Sequence, residues 1–209
     1  MLEIAVRAFT TFFATVSPVD VAALFAALSA AATPKQRRSM AVKGTLIATI
    51  LLLLFTLFGT EVLRWMGITL PALKTAGGVL LLLMSIDMVF ARPSGMTSTT
   101  VAETSEAATK NDISVFPLAT PLIAGPGALG AAVLLTAETE GDLVLQATVV
   151  AALLVVMAIT LALLLIAVQL HRFLGVTGQN VITRVFGILL AALAVQFLFD
   201  GVRNSGLLS

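Results

Sequence analysis

Ala14-Thr15-Val16-Ser17-Pro18-Val19-Asp20-Val21-Ala22 interrupts an apolar stretch that otherwise runs over 3–31. A proline inside a helix removes a backbone donor and crowds the turn before it. Ser17-Pro18-Val19-Asp20 has the form of a helix start, with a capping residue, a first-turn proline and an acid three residues after the cap. Inside a hydrophobic stretch it reads as one helix stopping and another beginning. Where no water reaches the freed backbone, such a break is tolerated only if protein buries it or a wet cavity meets it. The feature returns at an offset of 108, where Ser17-Pro18-Val19 becomes Gly125-Pro126-Gly127. At that same offset Arg64-Trp65-Met66-Gly67-Ile68-Thr69 becomes Arg172-Phe173-Leu174-Gly175-Val176-Thr177. Matching interruptions in matching halves are the best sequence pointer to a transport site.

The composition agrees with a membrane setting. The 209 residues are 59% hydrophobic and 11% charged, against about 25% charged in soluble domains, and the mean hydropathy is +1.08. Cysteine is absent, which removes disulfides and thiolate metal sites. One histidine and no tyrosine leave little of the acid–base toolkit of an enzyme. No basic cluster points to nucleic acid, no motif points to a nucleotide, and neither a metal nor another cofactor is expected. Residues 1–32 resemble a signal peptide, but Glu3 at the start, Asp20 late in the segment and a counterpart at 113–137 favour a retained membrane segment.

About 20 apolar residues cross a hydrocarbon core, and six stretches qualify: 3–31, 40–63, 71–90, 113–137, 143–170 and 181–200. The expected fold is all-α and integral to the membrane, with six transmembrane helices. Thr33-Pro34 marks the start of the second. Residues 1–91 and 113–209 are expected to form two three-helix repeats within one membrane domain, joined by a polar linker over 92–112. Three helices per repeat send the second copy into the membrane from the opposite side, so the repeats should be inverted, with helices 1 and 4 broken at midplane. A two-residue shift sets Lys74-Thr75-Ala76-Gly77 against Arg184-Val185-Phe186-Gly187. Lysine and arginine concentrate in the loops between helices 1–2, 3–4 and 5–6, which places these loops in the cytoplasm and both termini outside.

The two breaks supply the candidate chemistry. A helix beginning at midplane presents unpartnered N–H groups and the positive end of its dipole, which suit a carboxylate. A helix ending there presents carbonyls, which suit an ammonium. The expected binding residues are therefore Ser17, Pro18, Asp20, Thr120, Gly125, Pro126 and Gly127. Asp20 is read first as a helix cap, with an ammonium or proton site as the alternatives. Gly77, Gly78 and Gly187 are read as helix packing or as a pocket wall. Lys74 and Arg184 are expected to snorkel to the interface. Thr45, Thr49, Thr56, Ser85, Thr148, Thr160 and Gln196 are expected mostly to bond between helices.

Phe116-Pro117-Leu118-Ala119-Thr120-Pro121-Leu122-Ile123-Ala124-Gly125-Pro126-Gly127 resembles the signature of the MarC family of inner-membrane proteins. Ala76-Gly77-Gly78-Val79-Leu80-Leu81-Leu82 and Thr183-Arg184-Val185-Phe186-Gly187 extend the resemblance to nearly the whole chain. It implies a six-helix, transporter-like protein of the inner membrane, with small neutral amino acids such as glycine and alanine as substrates of some members. It also implies Asn-Pro, an apolar residue and Gly at the first break, where this chain has Ser17-Pro18-Val19-Asp20. The function expected is a secondary transporter of small neutral amino acids, working as an exporter. An uncoupled channel or facilitator, or an exporter of another small solute, is the alternative; a membrane-embedded enzyme ranks lower, and a partner subunit with no transport of its own is a further reading. The bilayer and a small solute are the expected partners, and glycine-faced helices permit a homo-oligomer.

Overall fold

The computed structural model describes residues 1–29, 32–90 and 112–206, and all regular structure among them is helical. The 92–112 linker falls almost wholly outside these residues. The helices are α1 (Leu2–Val16), α2 (Pro18–Leu28), α3 (Pro34–Trp65), α4 (Leu70–Phe90), α5 (Ser114–Ile123), α6 (Pro126–Ala137), α7 (Leu143–Leu165) and α8 (Ala167–Asn204). Five spans are long and apolar enough to cross a membrane, or six when the bent pair α5–α6 counts as one. Large apolar side chains stay exposed along α3 and α8, among them Leu46, Ile50, Phe58, Val185, Ile188 and Phe199, as a lipid-facing surface requires.

Local chemistry explains the boundaries. Thr33 accepts from the Gln36 N–H while the Gln36 side chain accepts from the Thr33 N–H, and Pro34 occupies the first turn. The second span therefore begins at Pro34, earlier than the apolar run suggests. Asp142 caps α7 by accepting from the Val144 and Leu145 N–H groups. Within the motif shared by the two halves, Gly67 (φ 71°) and Gly175 (φ 58°) both adopt positive φ, a conformation that glycine takes without a Cβ clash.

The two proline breaks differ in form. Ser17, at φ 48° and ψ 61°, ends α1 and starts α2, yet Leu2–Leu28 continues as one span. α5 and α6 are bent by 55°. α5 itself is not a regular α-helix, because Phe116 and Thr120 are extended. Each precedes a proline, whose ring disfavours the helical region for the residue before it.

The helices interlock across the halves. α1 packs on α6, α7 and α8; α2 on α5, α7 and α8; α3 on α5, α6 and α7; and α4 on α6 and, most extensively, α8. A Cβ on Gly78 would lie 2.8 Å from the Ala194 carbonyl oxygen, and one on Gly187 would lie 2.9 Å from Met88 Cβ. Bare backbone at these positions lets α4 and α8 touch. Gly77 faces Leu134 of α6.

The membrane hydroxyls depart from expectation. Thr49, Thr56, Thr148 and Thr160 donate to the carbonyl four residues earlier in their own helix, and Ser85 to that of Leu82. Gln196 donates to Asp200, also on its own helix. These bonds are intrahelical because the preceding turn always offers a carbonyl within reach. Thr11, Thr45 and Thr136 carry buried hydroxyl oxygens without a partner.

Candidate functional site

The break at Ser17 is satisfied from within. The Ser17 N–H donates to the Phe13 carbonyl at 3.0 Å, and Ser17 Oγ donates to the Ala14 carbonyl at 2.6 Å. Two carbonyls of the last turn of α1 are thereby taken. The first intrahelical bond of α2 runs from the Val21 N–H to the Ser17 carbonyl, so the Val19 and Asp20 N–H groups precede it.

Asp20 does not cap the helix. α2 has no side-chain cap bond, and the carboxylate reaches α8 instead, where Thr183 Oγ donates to Asp20 Oδ1 at 2.6 Å. Ser17 already satisfies its own N–H through α1, so no capping partner is left for an acid at the third position. The bond joins residues 163 apart in sequence. Among the described residues, no cation pairs with Asp20. Around it lies a cavity of about 10 Å³ lined by Phe13, Ser17, Pro18, Val19, Asp20, Met88, Ile182, Thr183 and Phe186. The Phe13 and Phe186 rings approach to 4.4 Å between centroids and close one wall.

The second break is built otherwise. Gly125 caps α6 in an extended conformation, and the first intrahelical bond runs from the Leu129 N–H to the Gly125 carbonyl. The Gly127 and Ala128 N–H groups precede it. Gly125 and Gly127 are buried and Pro126 is exposed. The space beside Gly127 is taken by Met84 of α4, whose sulfur would sit 2.6 Å from a Cβ built there. Thr120 is half-buried, and its hydroxyl donates to the Val115 carbonyl at 3.4 Å. Ser17, Pro18 and Asp20 thus line one cavity, and none of Thr120, Gly125, Pro126 and Gly127 lines it.

Two larger clefts open at opposite ends of α3. One, of about 550 Å³, is lined by the end of α3 (Leu57–Arg64), the start of α4, the end of α6 and the start of α7. The other, of about 450 Å³, is lined by the end of α2 (Phe25, Ser29), the start of α3 (Pro34, Arg37, Arg38), the end of α7 and the start of α8. Neither lining includes Ser17 or Asp20.

The sequence reading missed several groups. Thr183 lies in a quoted motif, but nothing in the sequence aims its hydroxyl at α2. Lys74, expected to snorkel, pairs with Glu138 at 3.5 Å, and Arg7 pairs with the same carboxylate at 3.3 Å. Lys74 and Glu138 are nearly buried, with side chains 11% and 9% exposed. Arg184 is exposed and Asp87 half-buried.

An all-helical chain with several membrane-crossing spans, an interrupted first span and clefts at both ends is a polytopic integral membrane protein. The model of the MarC family of integral membrane proteins matches residues 2–205, and the chain belongs to that family. It is 35% identical over 204 residues to a UPF0056 membrane protein, MJ1677, of Methanocaldococcus jannaschii, covering 98% of both chains. It is 30% identical over 204 residues to the UPF0056 membrane protein YvbG of Bacillus subtilis, covering 98% of this chain and 96% of the relative. It is 32% identical over 170 residues to the UPF0056 inner membrane protein YhgN of Escherichia coli, covering 81% of each. No solved structure matches.

Proposed function

We propose that this protein is a secondary transporter of small neutral amino acids, of the glycine and alanine class, working as an exporter in the cell's inner membrane. The observation that carries the reading is the pair of clefts at opposite ends of α3. The first is built from the ends of α3 and α6 and the starts of α4 and α7. Exchanging the halves turns that set into the ends of α7 and α2 and the starts of α8 and α3, which line the second. Four pairs of packing contacts obey the same exchange, whereas α1 on α8 is not matched by a comparable packing of α5 on α4. α1 on α7 answers to α5 on α3, α2 on α7 to α6 on α3, α2 on α8 to α6 on α4, and α1 on α6 to α5 on α2. This reciprocity supports two inverted three-helix repeats, 1–91 and 113–209, with helices 1 and 4 broken within the bilayer. Rocking of one repeat against the other would open each cleft in turn towards a fixed site.

Substrate would bind between the two breaks, in a conformation more open than this one. The N–H groups of Gly127 and Ala128 suit a carboxylate once Met84 withdraws. Ser17, Pro18 and Asp20 form the wall for the ammonium, and Thr120, Gly125 and Pro126 shape the second break. No catalysis is proposed. Ser17 Oγ is committed to the Ala14 carbonyl, and activation of a serine needs a base within reach. The excess of Lys and Arg puts the Arg37–Arg38 cleft on the cytoplasmic side and both termini outside.

The test is counterflow of labelled glycine and alanine in proteoliposomes holding the full chain. Saturable counterflow is the expected result. Flux without counterflow would instead indicate a channel, and no flux of either amino acid would overturn the reading.

A further inference from the structure

A carboxylate in the middle of an apolar span is costly and normally faces a cation or a wet cavity. Among the described residues Asp20 has neither in this conformation. Its one partner among the described residues is the Thr183 hydroxyl at 2.6 Å, and the adjoining cavity of about 10 Å³ holds one water at most. The surrounding charges do not answer it. α5 and α7, which pack on α2, carry no ionisable residue. On α1, Arg7 and Glu3 pair with each other, and Arg7 also with Glu138, at the far end of the helix. On α8, Arg184 is exposed beside Thr183, while Asp200 and Arg203 lie more than two turns away along the helix. On α4, Asp87 precedes the lining residue Met88 in sequence but does not itself line the cavity, and Lys74 is held by Glu138.

A hydroxyl serves both forms of a carboxyl. It donates to the carboxylate and accepts from the acid. An ammonium, in contrast, would favour the charged form. Thr183 therefore lets Asp20 change protonation without breaking the link between α2 and α8.

We infer that Asp20 is the proton-coupling site of the transporter, protonated in this closed conformation and exchanging its proton for the amino group of the substrate. The inference rests on the transport reading and names its coupling ion. The proton leaves Asp20 for the aqueous phase as a substrate ammonium arrives, and the carboxylate then pairs with that ammonium. Once the substrate departs on the other side, a proton from that side restores the acid. One zwitterionic amino acid moves out for each proton moving in, so the exchange carries one positive charge inward.

The experiment reads the proton directly. Infrared difference spectra of the full chain in lipid, recorded across a pH titration, should show a carbonyl band of a protonated carboxyl at neutral pH. The band should vanish in Asp20→Asn, shift in Thr183→Val, return near its native position in Thr183→Ser, and persist in Asp87→Asn. A band unchanged by Asp20→Asn, or absent from the native chain, overturns the assignment. In glycine-loaded proteoliposomes, an external acid pulse should speed efflux by an order of magnitude in the native chain. Asp20→Asn should abolish this acceleration while sparing the fold, and native efflux indifferent to the pulse overturns the coupling. Loss of the band in Asp20→Asn, with no saturable glycine or alanine flux in any variant, would keep the proton site and overturn the transporter.

Discussion

Single side chains in this protein decide which helix touches which. Thr183→Val removes the one donor to Asp20 and leaves a buried polar group unsatisfied, which costs about 1–3 kcal/mol. Thermal unfolding in detergent should fall accordingly for Thr183→Val and recover in Thr183→Ser. Outside the spans, Asp112 holds the start of α5, where its Oδ1 accepts from the Ser114 N–H at 2.9 Å. The Ser114 hydroxyl, then its backbone N–H, keep the Asp112 carboxyl below its ordinary value, with a smaller contribution from Lys43. Because the folded value is the lower one, this stabilisation is fully present above the unfolded value of about 3.9. It fades as pH falls through the folded value. Hydrogen exchange at the Ser114 N–H should therefore accelerate, relative to its intrinsic rate, only in acid below that range. An Asp112→Asn chain should lose that dependence.

At the scale of elements, glycines separate contact from mere flexibility. Gly78 lies against the Ala194 carbonyl and Leu198 of α8, whereas a Cβ on Gly130, inside α6, would meet nothing within 4 Å. Gly78→Ala should push α4 off α8 and cost about 1–3 kcal/mol, as overpacking does. Gly130→Ala should stabilise by about 0.4–1 kcal/mol, because the unfolded chain loses freedom and the helix loses nothing. Melting temperatures moving in opposite directions are the check. Much of this level was legible in the sequence. Composition gave the spans, Thr33-Pro34 the start of α3, and Pro18 the end of α1. Pro117 and Pro121 carried an unread signal, since the residues before them were bound to leave the helical region. What could not be read was pairing across the fold. Whether Asp20 meets its own backbone, a substrate or Thr183 depends on the rotation of α2 against α8, which no local pattern encodes. Gly127 likewise looked open because the sequence cannot show Met84 lying over it.

At the scale of the whole molecule, one ion cluster ties the halves together beside the larger cleft. Glu138 caps the end of α6 and holds both Arg7 of α1 and Lys74 of α4. One acid thus joins two elements of the first half to one of the second. The exposed Glu3–Arg7 pair adds little. Glu138→Gln would leave the nearly buried Lys74 without its carboxylate while Arg7 keeps the exposed Glu3, and should destabilise the chain by about 1.5–3 kcal/mol, the scale of a charged hydrogen bond. The larger consequence is access. Thr136 is buried at the end of α6, where it lines the cleft of about 550 Å³. If the cluster clamps this end shut, releasing it shifts the population towards a state in which Thr136 meets water. The chain has no cysteine, so Thr136→Cys is the sole target for a membrane-impermeant maleimide. Labelling should be slow in an otherwise native chain and at least tenfold faster when Glu138→Gln is added. Lys74→Gln should give a smaller increase, because Arg7 still holds the acid. Equal labelling rates in all three chains would show that the cluster fastens the helices without governing entry.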